Sequence, residues 1–334
     1  VKTEILSTHT QELFAHAVYR AVELLTAGEV VALPTETVYG LAANALDTEA
    51  VAKIYSIKGR PSHNPIIVHV SDLPMAKRCV AAWPTSAEKL ANSFWPGPLT
   101  MVLPRAKSIP DIVTAGGETV GVRLPSHPFI QAVIRECGFP LAAPSANLSN
   151  AISPTSAEHV SKQLSGKIRL IVDGGSSQVG IESAVIDLST QGHRVLRPGM
   201  IHAESIAAVI GQGVLNESAG DKSGTLRSPG MLRKHYSPKA KLLILEWKSD
   251  AELKSRMMHH SSRAHIIAHT SIPSTGGFGG VSVMPRDVAA FARAIYAELH
   301  RCDEAGAEVI IVEALPNQPE WRGVADRLGR AAAE

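Results

Sequence analysis

Cysteine is scarce in this chain: Cys79, Cys137 and Cys302 are the three among 334 residues, odd in number and far apart. Without a CxxC pair they build neither a disulfide framework nor a thiolate zinc site, and a reducing cytoplasm is the expected compartment. Aromatic residues make up 4%, which argues against a surface that binds by stacking bases. Neither sign of charge dominates, and a formal net charge of +2 gives no basic footprint for nucleic acid. No run approaches the roughly 18 apolar residues of a membrane span. The start, Val1-Lys2-Thr3-Glu4, leads into a polar stretch rather than the apolar core of a signal peptide. Also missing are a P-loop, a GxSxG nucleophile elbow and an HExxH zinc motif. The one adjacent histidine pair, His259-His260, reads as a solvated helix end, so no metal ligands are expected from the protein.

What is present is apolar residue in quantity, 45% of the chain, enough for two cores in a chain of this length. The first half alternates helical and strand patterns. Helices are expected at 11–27, 47–59, 86–94, 128–136, 156–164 and 203–210, and strands at 30–33, 66–70, 99–103, 120–124, 141–143, 168–172, 183–187 and 195–197. So many strands with only some helices between them predict a mixed sheet. Residues 212–238 are rich in Gly, Ser and Pro and read as a linker, yet Lys222 to Lys241 carries six Lys/Arg and no acid. Beyond it, strands at 241–245, 264–268 and 309–312 with helices at 250–258, 286–302 and 321–332 predict a smaller Rossmann-like domain, 239–334, with a largely parallel sheet. Gly276 to Gly280 reads as a mobile loop.

The densest chemistry lies between Leu33 and Val70. A Pro34-Thr35-Glu36-Thr37 turn, expected to be exposed, follows one strand, and Lys58-Gly59-Arg60 closes a helix. Cations there suit the negative end of a helix dipole. Pro61, Asn64 and His69 follow within a few residues, however, and together they offer two cations, an amide and an imidazole at one sheet edge, a set that suits polyphosphate or carboxylate. Ser145-Ala146-Asn147 leaves another apolar strand, as an Asx or Ser turn or as a substrate edge. Arg123 and Arg197 sit at strand ends, as anion ligands or as members of structural ion pairs.

With Lys58-Gly-Arg60, Ser145-Ala-Asn147, the Pro-Thr-Glu-Thr-Val-Tyr-Gly turn and the Ser-Pro-Gly-Met segment in that order, the chain resembles the threonylcarbamoyl-AMP synthases, in the long two-domain form of the YrdC-like family. The resemblance implies a YrdC-like catalytic domain over 1–211, a twisted mixed sheet with flanking helices, and a reaction in which L-threonine, bicarbonate and ATP give L-threonylcarbamoyl-adenylate, pyrophosphate and water. The product would pass to a separate tRNA threonylcarbamoyl transferase complex. It places Thr37, His69, Arg123, Ala143 and Ser183 around threonine or its carbamate. Lys58 and Arg60 fall at the reacting phosphates, as catalytic groups. Asn64, Thr119, Ser145, Asn147, Ser153 and Arg197 fall with Arg60 on the ATP side, where His235 and Tyr236 would join them from a basic lid. Mg2+ would be held mainly by the ATP phosphates. An RNA-binding module without catalysis, with direct tRNA binding, is one alternative. The other is a carbamoyl-transfer enzyme of the hydrogenase-maturation type.

Overall fold

The computed structural model describes residues 1–190, 192–211, 215–216, 236–256 and 263–333. They fall into two compact units, Val1–Ser149 with Ser153–Met231, and Asn150–Ile152 with Leu232–Glu334. The division at Met231 lies inside the expected linker, and Tyr236 to Pro238 belong to the second unit.

The first unit starts with strand β1 (Glu4–Ser7) and helix α1 (Gln11–Thr26). Thr10 caps α1 by accepting from the Leu13 amide at 3.2 Å, and its buried stripe is Ala17, Ala21, Leu24 and Leu25. Next come β2 (Val31–Leu33), β3 (Gly40–Asn44) and α2 (Thr48–Lys58). Asp47 caps α2 by accepting from Glu49 and Ala50, and Gly59 ends it at φ 61°, a left-handed position that favours glycine. Strand β4 (Val68–His69), helices α3 (Leu73–Cys79) and α4 (Thr85–Phe94), β5 (Leu99–Pro104), α5 (Asp111–Thr114) and β6 (Thr119–Arg123) follow. The unit continues with α6 (Pro128–Cys137), β7 (Leu141–Ala142), α7 (Ala157–Leu164), β8 (Leu170–Asp173), β9 (Ala184–Asp187), β10 (Arg194–Arg197), α8 (Ala203–Ile210) and β11 (Leu215–Asn216).

Among the described residues these strands make one eleven-stranded mixed sheet in the order β1-β8-β2-β3-β7-β4-β6-β5-β9-β10-β11. The main core, with Leu25, Leu33, Leu41, Ile54, Met101, Phe129 and Ile186, lies where the helices cover the sheet. Three strands were not expected from sequence. β1 is a half-exposed edge strand, and β3 (Gly-Leu-Ala-Ala-Asn) carries none of the β-branched residues that signal a strand. β11 falls inside the expected linker and adds a parallel strand to β10.

The second unit has β12 (Lys241–Leu245), α9 (Asp250–Arg256), β13 (Ala264–Ala268), β14 (Gly280–Val283), α10 (Val288–Glu304), β15 (Val309–Glu313) and α11 (Arg322–Ala332). All three strand pairings in the order β12-β15-β13-β14 are parallel. Gly280, expected in a loop, opens β14, and its lack of a side chain admits His265: a Cβ there would stand 2.9 Å from the ring Nδ1. The His259-His260 pair and the end of the helix expected to reach 258 lie outside the described residues. So do Arg233, Lys234, His235 and the Ser-Pro-Gly-Met segment.

Candidate active site

Strand register gathers the first group. His69 on β4 lies opposite Arg123 on the parallel neighbour β6. Met101 on β5 pairs with Val122, which brings Thr100 opposite Arg123 from the other side. Gly121, two residues before Arg123, shares their face, because a Cβ there would meet Thr100 Cγ2 at 3.2 Å and Ile67 Cγ1 at 3.5 Å.

The Thr35–Thr37 turn closes over this row. It was expected to be exposed and is instead buried, with Thr35, Glu36 and Thr37 all at 5% exposure or less. Burial is tolerated because the turn satisfies itself. Thr35 Oγ1 accepts from the amides of Thr37 and Val38 and donates to the Val38 carbonyl at 2.6 Å. The Glu36 and Thr37 carbonyls accept from the amides of Val179 and Gly180. Arg123 reaches into the turn: Nη1 donates to Thr37 Oγ1 at 2.9 Å, Nε to the Gly97 carbonyl at 3.2 Å, and Nη2 stands 2.6 Å from Glu36 Oε1.

That last contact is an ion pair rather than an aligned hydrogen bond. Among the described residues, both Glu36 carboxylate oxygens, Arg123 Nη2 and His69 Nδ1 are buried without a hydrogen-bond partner. Leaving such a group unsatisfied costs about 1–3 kcal/mol; the Glu36–Arg123 ion pair offsets part of that cost, and its convergence with His69 Nδ1 marks a place that suits a ligand. Burial works to raise the Glu36 pKa, but the charge and proximity of Arg123, together with backbone support from Ser126 and Glu36 itself, outweigh it and hold the carboxyl below its usual range. Burial first, then Arg123, push His69 down to about 3, with Glu36 opposing, so its imidazole is neutral at physiological pH.

A second group adjoins the row. Ser183 Oγ lies 2.8 Å from Thr100 Oγ1, and Arg197 donates from Nη2 to Ser183 Oγ at 3.2 Å and from Nε to the Ser183 carbonyl at 3.1 Å. Val102, Val185 and Leu196 form a small apolar cluster separate from the main core. Gly199 lets the chain after Arg197 run against β9, where a Cβ would stand 2.4 Å from the Ala184 amide nitrogen.

The third group forms at the end of α2. Lys58 Nζ is buried and donates to the Ser145 carbonyl at 2.5 Å and to the Asn147 carbonyl, while the Lys58 carbonyl accepts from the Ser149 amide. Burial and then the neighbouring Arg60 drive the Lys58 pKa well below its ordinary value. Arg60 folds back on its own loop, donating from Nε to the Asn64 carbonyl at 3.0 Å and from Nη2 to Asn64 Oδ1 at 2.8 Å and to the Pro65 carbonyl at 2.6 Å. The loop after β7 is stitched to β3: Ala146 N donates to the Tyr39 carbonyl, Leu41 N to the Pro144 carbonyl, and Gly40 bridges Ser145. Gly40 is required by this approach, since a Cβ would meet that of Ala143 at 3.3 Å. Ala143 is tied to β4 through the Ile67 carbonyl.

Ser153 is fully buried and donates to Glu182 Oε1 at 2.5 Å. Thr119 opens β6, four residues and about 13 Å along the strand from Arg123, and so stands apart from that row. Tyr236 is buried in the second unit, with its ring 6.1 Å from that of Tyr296 and 5.7 Å from the Arg327 guanidinium. His235 lies outside the described residues. Sequence reasoning did not assign Glu36, Thr100 or Glu182 to the site. Thr100 did carry a signal, as the one polar residue in the otherwise apolar strand Leu-Thr-Met-Val-Leu-Pro.

Two family profiles match in tandem. The Sua5_yciO_yrdC profile, described as Telomere recombination, covers residues 23–199, and the profile described as Threonylcarbamoyl-AMP synthase, C-terminal domain, covers 201–333. The chain is 40% identical to the threonylcarbamoyl-AMP synthase of Bacillus subtilis, over 99% of this chain and 95% of that one. It is 38% identical to that of Pyrococcus abyssi, over 93% of each. The crystal structure of P. abyssi Sua5 complexed with L-threonine superposes with a TM-score of 0.91 at 36% identity, covering 99% of this chain and 98% of that one.

Proposed function

The chain belongs to the Sua5/YrdC family, and from that membership we infer that it makes L-threonylcarbamoyl-adenylate from L-threonine, bicarbonate and ATP, as a nucleotidyltransferase. The observation that carries the reading is the buried Arg123, whose Nη2 is paired by charge with Glu36 but makes no aligned hydrogen bond, beside Thr37 and His69. It offers a fixed cation to an amino-acid carboxylate in a place where water is excluded.

In this reading Arg123 holds the threonine carboxylate, and Thr37, His69, Ala143 and Ser183 surround the rest of the molecule. Lys58, Arg60, Asn64, Ser145, Asn147, Ser153 and Arg197 take the nucleotide and its phosphates. The carbamate of threonine attacks the α-phosphate and pyrophosphate leaves. Lys58, held between two carbonyls and with no carboxylate partner among the described residues, offers its ammonium to a triphosphate brought against it, whose charge it neutralises as the leaving group departs. No group of three or more His, Cys, Asp or Glu able to hold a metal gathers among the described residues. The described residues thus offer no all-protein cage for Mg2+, and in this reading the ion arrives on the phosphates of ATP. Thr119, His235 and Tyr236 remain candidates on the ATP side. The product would go to a tRNA threonylcarbamoyl transferase complex, because a mixed carbamic–phosphoric anhydride hydrolyses unless a second enzyme consumes it.

The test is pyrophosphate release from ATP and bicarbonate with and without L-threonine, with L-serine as the control. Release that requires threonine supports the reading. A folded protein that binds ATP and releases no pyrophosphate in the presence of threonine refutes it.

A further inference from the structure

Glu36 is the part of this site that carboxylate binding leaves unexplained. A site for a carboxylate needs Arg123, and a buried acid 2.6 Å from that cation competes with the ligand. Amino acids, however, arrive at neutral pH as zwitterions. A buried cation and a buried anion side by side, paired by charge at 2.6 Å without an aligned hydrogen bond between them, are complementary to the two ends of a zwitterion.

We propose that Glu36 receives the ammonium of the amino-acid substrate and then acts as the base that frees its nitrogen for attack on bicarbonate. This rests on the reading of the site as one for threonine. The substrate N–H bond breaks, and the proton goes to a Glu36 carboxylate oxygen. The freed lone pair attacks the bicarbonate carbon, the C–N bond forms, and the C–OH bond breaks. The departing hydroxide takes a second proton from nitrogen and leaves as water. Glu36 returns its proton to solvent when the product departs.

The site's own charges supply the control. With no substrate, Arg123 holds the Glu36 carboxyl below its usual range against the effect of burial. A substrate carboxylate that takes over Arg123 removes part of that support, and burial then favours the protonated acid. Glu36 thus becomes a better proton acceptor when there is a proton to accept. The charged and titratable groups facing it are Arg123 on β6, His69 on β4 and His127 at the start of α6. His69 at about 3 and His127, lowered by burial, are both neutral above pH 6.5. Of these groups Glu36 is the one anion, and so the one that can pair with the substrate ammonium.

The experiment is the pH dependence of kcat/KM for L-threonine, read by pyrophosphate release on the full chain. It is paired with the affinity of 2,3-dihydroxybutyrate, which has a hydroxyl in place of the ammonium. The wild-type profile is expected to be flat from pH 6.5 to 8.5, because the zwitterion is the form that binds and reacts. Glu36→Gln is expected to lower kcat/KM at pH 7 by about 10²-fold or more and to turn the profile into one rising nearly tenfold per pH unit, since only the free amine can then react. Glu36→Asp recovers part of the rate and keeps the flat profile. The wild type binds dihydroxybutyrate at least tenfold more weakly than threonine, and Glu36→Gln abolishes that preference. Two results overturn the proposal: a wild type that binds both ligands equally, which is readable even where the variants do not fold, or a Glu36→Gln variant that loses rate with its profile still flat. Absence of any threonine-dependent pyrophosphate release from the wild type would instead refute the threonine reading itself.

Discussion

Glu36 in the first unit and Glu313 in the second are buried carboxylates at 5% and 6% exposure, and each lies beside a buried histidine. Glu313, the last residue of β15, accepts from three successive amides of the loop after β13: His269 at 2.7 Å and Thr270 at 2.8 Å on Oε2, and Ser271 at 2.9 Å on Oε1. The ring of His269 stacks on Trp321 and meets Phe291 edge-on, with Nδ1 2.9 Å from Thr270 Oγ1. Everything there is spent. Glu36 and His69 have the same burial, but Glu36 Oε1 and Oε2 and His69 Nδ1 make no aligned hydrogen bond, and Glu36 has its ion pair with Arg123. Burial of a polar group therefore does not by itself distinguish a site from a scaffold. The distinction lies in whether the hydrogen-bonding capacity is used up within the chain. The second unit has one exception among its described residues, His265 Nδ1. It faces the Gly280 backbone and does not converge with other open groups.

The largest effect that tests this contrast is on Lys58. Replacement by Met keeps the aliphatic stem and removes the charge that no carboxylate among the described residues offsets. Turnover in pyrophosphate release is expected to fall by about 10²–10³-fold, with circular dichroism and cooperative unfolding retained. A variant that keeps wild-type turnover would make Lys58 a structural cap for the Ser145 and Asn147 carbonyls and no more.

Glu313 should behave in the opposite way. Its three amide hydrogen bonds outweigh the cost of burial and hold its pKa below the usual range. The stability it contributes is then present above the unfolded carboxyl pKa of about 4.3 and is lost as pH falls through the lower folded value. Glu313→Gln is expected to destabilise the chain at pH 7 by about 2 kcal/mol, with the gap to wild type closing below pH 4. Rates per folded molecule should be unchanged. Denaturant unfolding at pH 7 and pH 3.5 measures the first part. A loss of turnover equal to that of Lys58→Met would erase the distinction between the two units.

The two units also differ in how much their sequences disclosed. Strongly patterned elements such as α1, α2 and α6 were legible because caps and apolar stripes agree, and β13 and β15 because both are continuous buried runs. β3 was not, since its strand state is set by packing: small residues let Gly40 and Ala43 approach the β7 segment, and no local propensity records that. In the site, Arg123, His69 and Ser183 were visible as polar residues at strand ends. Glu36 was in view within the turn, but its burial against Arg123 depends on the register that joins β4, β6 and β5, distant in sequence. Tyr236, expected from the resemblance to attend the nucleotide, has its ring in the core of the second unit.

The smallest expected effect is at Gly121, which lies on the same sheet face as Arg123 and Thr100. A methyl there would press on Thr100 Cγ2 at 3.2 Å, closer than ordinary contact, with Ile67 Cγ1 at 3.5 Å and Val102 Cγ2 at 3.9 Å. Gly121 has an ordinary extended backbone within β6, so Gly121→Ala adds no conformational strain and the fold should persist. Thr100 can yield only by turning, and turning loosens its 2.8 Å contact with Ser183. The perturbation is thus delivered first to Ser183, read as the threonine side, and only through it to Arg197, while Lys58, Arg60 and Asn64 are untouched. The KM for threonine is expected to rise about threefold to tenfold, equivalent to the 1 kcal/mol end of overpacking costs, with the KM for ATP and kcat within a factor of about two. Steady-state kinetics with each substrate varied in turn decides it. A KM for ATP that rises more than that for threonine would move the nucleotide onto this face and reassign Thr100 and Ser183 to it.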